Sequence, residues 1–128
     1  MYFRIGQIMD FSLAELEQAA ALVAQQMAPT PCLNWPLLSE AAGSEVWVKH
    51  ENHTPTGAFK VRGGIVFAKE LSRAKPQPEA LITATRGNHG QSVPFAATQL
   101  GIPVRVLVPE GNSAEKNAAM RGWGAQVE

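Results

Sequence analysis

From residue 45 onward, short β-branched apolar runs alternate with helical patterns, and few architectures accommodate that alternation. Residues 45–49 (Glu-Val-Trp-Val-Lys) read as a strand. Residues 58–73 read as a helix with Val61, Ile65, Phe67, Ala68 and Leu71 at its apolar positions. A linker containing Pro76 and Pro78 leads to residues 80–84, which read as a buried strand. The next helix spans residues 88–100; Pro94 should kink it by clashing with the carbonyl of Gly90, and Gly101 suits its end. Residues 104–108 form a third strand bounded by Pro103 and Pro109, residues 113–121 a short helix, and residues 125–127 the start of a fourth strand. Strands separated by helices require crossovers, so the pattern predicts right-handed connections and an α/β fold with a parallel sheet covered by helices.

Upstream, Ser12 and Glu15 have the spacing of a capping box, in which each side chain satisfies a free backbone N–H of the other's residue. A helix over residues 13–27 follows, with Leu13, Leu16, Ala20, Val23 and Met27 on one face, and Pro29 and Pro31 stop it. Residues 39–43 make a short turn or helical piece. Residues 1–11 carry no such pattern and read as an extension. With 128 residues, 45% of them hydrophobic and 17% charged, the chain is one globular domain or a domain with an appendage. A formal net charge of zero gives no electrostatic case for nucleic acid or for an anionic membrane. No apolar run is long enough for a membrane span, and the N-terminus does not read as a signal peptide, so a cytoplasmic protein is expected. Cys32 is the single cysteine, which excludes an internal disulfide and a multi-cysteine metal site; a buried free thiol is its expected state.

Two stretches carry chemistry. In the first, Thr54-Pro55-Thr56-Gly57 reads as a turn, and Lys60 follows near a helix start between Phe59 and Val61. An ammonium there is disfavoured by the positive end of the helix, by the neighbouring Arg62 and by desolvation. A neutral amine condenses with aldehydes, which is how pyridoxal phosphate is held. Taken alone, the same pattern also describes a surface lysine in the first turn of a solvated helix. Gly63 and Gly64 each cost a helix about 1 kcal/mol relative to alanine, so close approach by another backbone or a ligand is expected there. In the second stretch, residues 83–91 run from a strand end into a helix start, where open α/β sheets present free N–H groups to anions. An ordinary β–α turn has the same look.

Thr-Gly-Ala-Phe-Lys-Val-Arg-Gly-Gly at residues 56–64 resembles the cofactor-lysine motif of the tryptophan-synthase-β-like pyridoxal phosphate enzymes, nearest the threonine/serine dehydratases. Thr-Arg-Gly-Asn-His-Gly-Gln at residues 85–91 resembles that family's Ser-x-Gly-Asn-His-x-Gln loop, and Thr-Pro-Cys-Leu at residues 30–33 its Thr-Pro-Leu entry segment. The resemblance implies that Lys60 holds pyridoxal 5'-phosphate as a Schiff base and that Phe59 packs on the pyridine ring. It implies that Asn88 bonds the ring oxygen, and that Thr85, Gly87, His89 and Gln91 shape a pocket for the substrate carboxylate. Ala58 stands where many members have Ser. Arg86 replaces the commoner Ser or Ala, and either serves a second substrate carboxylate or points to solvent. His50, His53 and the tryptophans read as packing or surface residues, and no metal site is expected.

The family has two domains and well over twice this length, and no Gly-rich phosphate loop occurs in this chain. The resemblance therefore implies an amino-terminal fragment. Residues 1–44 form an arm belonging to the large domain, and residues 45–128 form most of the smaller α/β domain. Without the phosphate loop, several charge-assisted hydrogen bonds of about 1.5–3 kcal/mol each are lost, so the fragment alone is expected to be inactive. For the intact protein the resemblance implies an ammonia-lyase, a homodimer acting on a small hydroxy amino acid such as threonine or serine and releasing a 2-oxo acid and ammonia. An amino-acid racemase or a 3-hydroxyaspartate dehydratase of the same fold is the alternative. A non-catalytic α/β assembly module, associating through Leu13, Leu16, Val23 and Met27, is the reading from a different class.

Overall fold

The computed structural model describes residues 11–128; the expectation for the first ten residues lies outside them. In chain order the elements are α1 (Leu13–Gln26), β1 (Cys32–Asn34), α2 (Pro36–Ala42), β2 (Trp47–Lys49), α3 (Lys60–Arg73), β3 (Leu81–Ala84), α4 (Asn88–Ala97), β4 (Val104–Leu107), α5 (Ala114–Gly122) and β5 (Ala125–Val127). The capping box forms as the spacing requires. Ser12 Oγ accepts from the Glu15 N–H at 3.2 Å, and Glu15 Oε2 accepts from the Ser12 N–H at 2.7 Å.

Strands β3, β4 and β5 form a parallel sheet in sequence order, with Leu81 opposite Val104 and Val104 opposite Ala125. The period of two puts Val104, Val106 and Ala125 on one face, where they are buried with Val93 and Ala97 of α4, Met120 of α5 and Ile102. Both crossover helices therefore cover the same side. On the other side, Ile82 is 65% exposed and Leu107 43%, and Arg105 reaches across to form a bidentate pair with Glu128 (2.7–2.9 Å). Among the described residues the sheet is covered on one face only.

The strand expected over residues 45–49 forms as β2 but does not join this sheet. It pairs antiparallel with β1, Leu33 opposite Val48, in a separate two-stranded ribbon. Cys32 lies at the end of β1 and is exposed, contrary to the buried thiol expected from its chemistry alone; a two-stranded ribbon has too little covering to bury it. The helical piece anticipated near residue 39 begins earlier, with Pro36 at the first helical position and Gly43 closing it in the left-handed region (φ 64°).

Helix α3 ties the layers together. Val61 and Ile65 are buried against Val23 of α1, with Met27, Val66 and Phe95 packed around them. Its other contact is with α4, where Gly64 meets Ser92. A Cβ on Gly64 would collide with Ser92 Oγ and lie 2.7 Å from the Ser92 carbonyl oxygen, so only glycine permits this approach. Ser92 Oγ donates to the Lys60 carbonyl at 2.7 Å, closing the same contact one turn earlier. On α1, Val23 is buried and Met27 half-buried, while Leu13 and Leu16 are exposed; the apolar face is divided between packing and solvent.

The two adjacent glycines of α3 should respond oppositely to alanine. Nothing lies within 4 Å of a Cβ at Gly63, so Gly63→Ala is expected to stabilise by about 0.5–1 kcal/mol through helix propensity. Gly64→Ala is expected to destabilise by about 1–3 kcal/mol through overpacking. Urea unfolding of the two variants side by side checks both signs.

Candidate cofactor site

Thr54-Pro55-Thr56-Gly57 forms the anticipated turn, with the Gly57 N–H donating to the Thr54 carbonyl at 2.9 Å and Gly57 at φ 66°. Thr54 Oγ1 lies 2.9 Å from both the N–H and the carbonyl of Ala58, which fixes the approach to the helix. Lys60 is then the first residue of α3, as its sequence setting predicts. A helix places residues three, four and seven apart on one face, so Lys60, Gly63, Gly64 and Phe67 share a side. That side borders an apolar cleft of roughly 340 Å³, walled also by Leu81, Ile82 and Thr83 of β3 and by His89, Ser92 and Val93 of α4. Lys60 is itself an exposed residue.

The second stretch also lies where expected, between the end of β3 and the start of α4. Asn88 is the first residue of α4 and is exposed; His89, one residue on, lines the cleft and Asn88 does not. Thr85 Oγ1 accepts from the Gly87 N–H at 3.2 Å, and the Gly90 N–H donates to the Gly87 carbonyl at 2.8 Å. Gly90 is buried so tightly that a Cβ would come within 2.7 Å of Thr85 Cγ2 and 2.8 Å of Met120 Sδ, which draws α4's first turn down onto the loop. The aliphatic stem of Lys116, from α5, passes 3.6 Å from where a Cβ on Gly87 would lie. Arg86 is exposed and Gln91 half-buried. The structure thus brings Lys60 and His89 to one cleft, while Thr85, Gly87, Asn88 and Gln91 are not among the residues that line it. Phe59 is outside the cleft lining; its ring centroid lies 5.0 Å from Lys60 Nζ.

An ion-pair cluster stands behind the lysine and was not anticipated from the sequence. Arg62 Nε donates to Glu51 Oε2 at 2.7 Å and Arg62 Nη2 to Glu51 Oε1 at 2.8 Å, a bidentate fork. Thr30 Oγ1 donates to Glu51 Oε1 at 2.7 Å, and Lys49 Nζ donates to the Thr30 carbonyl at 3.2 Å. The Arg62 hydrogen bonds, helped by Thr30 and opposed by desolvation, pull Glu51 down from the ordinary 4.5 to about 2. The only signal in sequence is a glutamate just after a strand and an arginine in the next helix, a pairing that no local spacing rule marks.

Comparison with known proteins places the chain in a family. Residues 23–128 match the family model described as "Pyridoxal-phosphate dependent enzyme", and the chain belongs to that family, whose members depend on pyridoxal phosphate. Its fold is that of the tryptophan-synthase-β-like members. It is 35% identical over 118 residues to the serine racemase of Bos taurus, covering 91% of this chain and 35% of that protein. It is 42% identical over 89 residues to the L-threonine ammonia-lyase of Geobacter sulfurreducens, covering 70% of this chain and 22% of that protein. Among solved structures, a pyridoxal 5'-phosphate-dependent aspartate racemase superposes with a TM-score of 0.82 at 29% identity, over 94% of this chain and 39% of that one. A threonine deaminase from T.th. does so at 0.75 and 33%, over 92% and 36%. The chain spans about two fifths or less of the length of these relatives. No helix among the described residues is long and apolar enough to cross a membrane.

The residues present fit the cofactor's chemistry. Lys60, which carries a primary amine, lines the cleft, whose walls are mainly apolar and whose Gly63 wall carries no side chain.

The acid response of the Glu51 cluster is a direct consequence of its depressed pKa. A carboxylate held below its unfolded value stabilises the fold fully above that value, about 4.5 here, and its contribution fades as pH falls to about 2. Glu51→Gln is therefore expected to flatten the acid limb of the stability curve between those pH values, read by urea midpoints measured at each pH.

Proposed function

We propose that the intact protein is a pyridoxal phosphate-dependent ammonia-lyase acting on a small hydroxy amino acid such as threonine or serine. The observation that carries this reading is that Lys60, the first residue of α3, lines an apolar cleft together with His89, Ser92 and Val93 of α4. When bound, the cofactor supplies an electron-withdrawing ring conjugated to the substrate's Cα. Lys60 is the residue that would hold it and, with substrate bound, would carry the proton at Cα. Asn88 is the donor to the ring oxygen, and Phe59 offers the ring an aromatic face. Thr85, Gly87, His89 and Gln91 receive the substrate carboxylate at the α4 amino end, where free N–H groups favour an anion. Loss of the β-hydroxyl as water and hydrolysis then leave a 2-oxo acid and ammonia. In this reading residues 1–44 and 45–128 belong to two domains, bridged by the β1–β2 pairing, and the 128-residue chain by itself is inactive.

A second reading within the family rests on two cations at the carboxylate loop. Arg86 is exposed there and the stem of Lys116 crosses Gly87, an arrangement suited to a substrate with a second carboxylate, such as 3-hydroxyaspartate, or to racemisation of a dicarboxylic amino acid. The structural likeness to an aspartate racemase supports it.

Protein expressed from the full reading frame, supplied with pyridoxal phosphate, is expected to release ammonia from threonine or serine. Lys60→Ala should lose the absorbance of the lysine-bound cofactor and at least about a hundredfold in turnover. An unchanged spectrum in that variant excludes the role given to Lys60. Arg86→Ser is expected to cost about tenfold or more on 3-hydroxyaspartate and little on threonine if the diacid reading holds.

A further inference from the structure

The geometry points to Glu51 and Arg62 as positioning residues for Lys60: their fork, with Thr30, braces the first turn of α3 from behind, so that the amine is presented to the cleft. The inference rests on the role given to Lys60 above and adds to it a device outside the cleft. Two residues along a helix turn the side chain by roughly 200°, so Arg62 projects on the side of α3 opposite Lys60. The cleft side of that turn is fixed by the Ser92 hydroxyl on the Lys60 carbonyl and by the Gly64–Ser92 approach. The opposite side is fixed by Arg62, through both oxygens of Glu51 and, at 3.3 Å, through Thr30 Oγ1.

The anchor points come from separate parts of the chain. Thr30 lies in the loop after α1, Lys49 ends β2, and Glu51 opens the short 3-10 turn that follows. The helix start gains no brace from its own cap, since Phe59, at that position, makes no side-chain capping bond. The cluster is also shielded, with 31% of the Arg62 side chain and 21% of the Glu51 side chain exposed, so solvent weakens it less than it would an open surface pair. A planar fork meeting both oxygens of one carboxylate fixes orientation as well as distance, which a lysine at position 62 would not do. Without Glu51 the guanidinium is released, the first turn pivots on Ser92, and the Lys60 stem is free to swing out of the cleft.

Reductive labelling reads this without any need for turnover. The lysine amine condenses with the aldehyde of pyridoxal 5'-phosphate, releasing water, and cyanoborohydride delivers hydride to the resulting C=N carbon while solvent supplies the proton to nitrogen. The product is a stable secondary amine that peptide mass mapping assigns to a residue. Lys69, exposed on the same helix, serves as the internal reference. In protein expressed from the full reading frame, Lys60 is expected to be labelled in clear preference to Lys69; absence of that preference overturns the role of Lys60, and the positioning inference with it, before any variant is made. Given that preference, Glu51→Gln and Arg62→Gln should each lower the Lys60:Lys69 ratio by at least about threefold, since small displacements of a reacting group carry large rate penalties. The measurement is made well below each variant's melting temperature, with helical circular dichroism intact. Glu51→Asp, which keeps the charge but shortens the reach, replaces any variant that does not fold and should also lower the ratio. A lower melting temperature with an unchanged ratio means that the cluster is only a stabilising ion pair, and overturns the inference while leaving the role of Lys60 standing.

Discussion

The close approach of two helices, Gly64 of α3 against Ser92 of α4, is the contact on which the rest is arranged. It sets how near the lysine turn stands to the loop after β3, because the Ser92 hydroxyl holds the Lys60 carbonyl on the same seam. A side chain at position 64 would wedge the helices apart and widen the cleft between Lys60 and His89. The seam is equally the link between the two apolar clusters. One lies under the sheet around Val104, Val106 and Met120, and the other lies between α1 and α3 around Val61.

Both stretches singled out in the sequence lie where a helix starts. Helix α3 begins at Lys60, directly after a turn locked by Thr54, and α4 begins at Asn88, directly after a loop pinned by Gly90 and Thr85. Helix amino ends favour anions, while the lysine at the first of them is a nucleophile when it is uncharged. In the function proposed above, one helix start would supply the amine and the other the hydrogen-bond donors.

How much of this was legible in sequence depended on the range of the interactions involved. The capping box of Ser12 and Glu15, the turn ending at Gly57 and the position of Lys60 are local, and each follows from residues within four places of one another. The parallel sheet followed from periodicity, since β3, β4 and β5 lie between well-marked helices. The ribbon was illegible for the opposite reason. Strand β1 has three residues, no period and prolines close by, and its pairing with β2 depends on bringing Cys32 to Lys49 across the chain. The same distance hid the exposure of Cys32 and the Glu51–Arg62 fork. Gly63 and Gly64 read identically in sequence, yet the first faces open space and the second lies against backbone, a distinction that only the neighbouring helix makes.

Gly63 has a second aspect. Together with Phe67 it borders both the Lys60 cleft and the apolar groove that runs along α1 past Leu16, Val23 and Met27. Helix α3 is thus a partition with a thin spot, only a backbone's thickness of protein between two hollows. Bulk added at that spot narrows both chambers at once, so the α1 groove and the Lys60 cleft share a wall that neither can reshape alone.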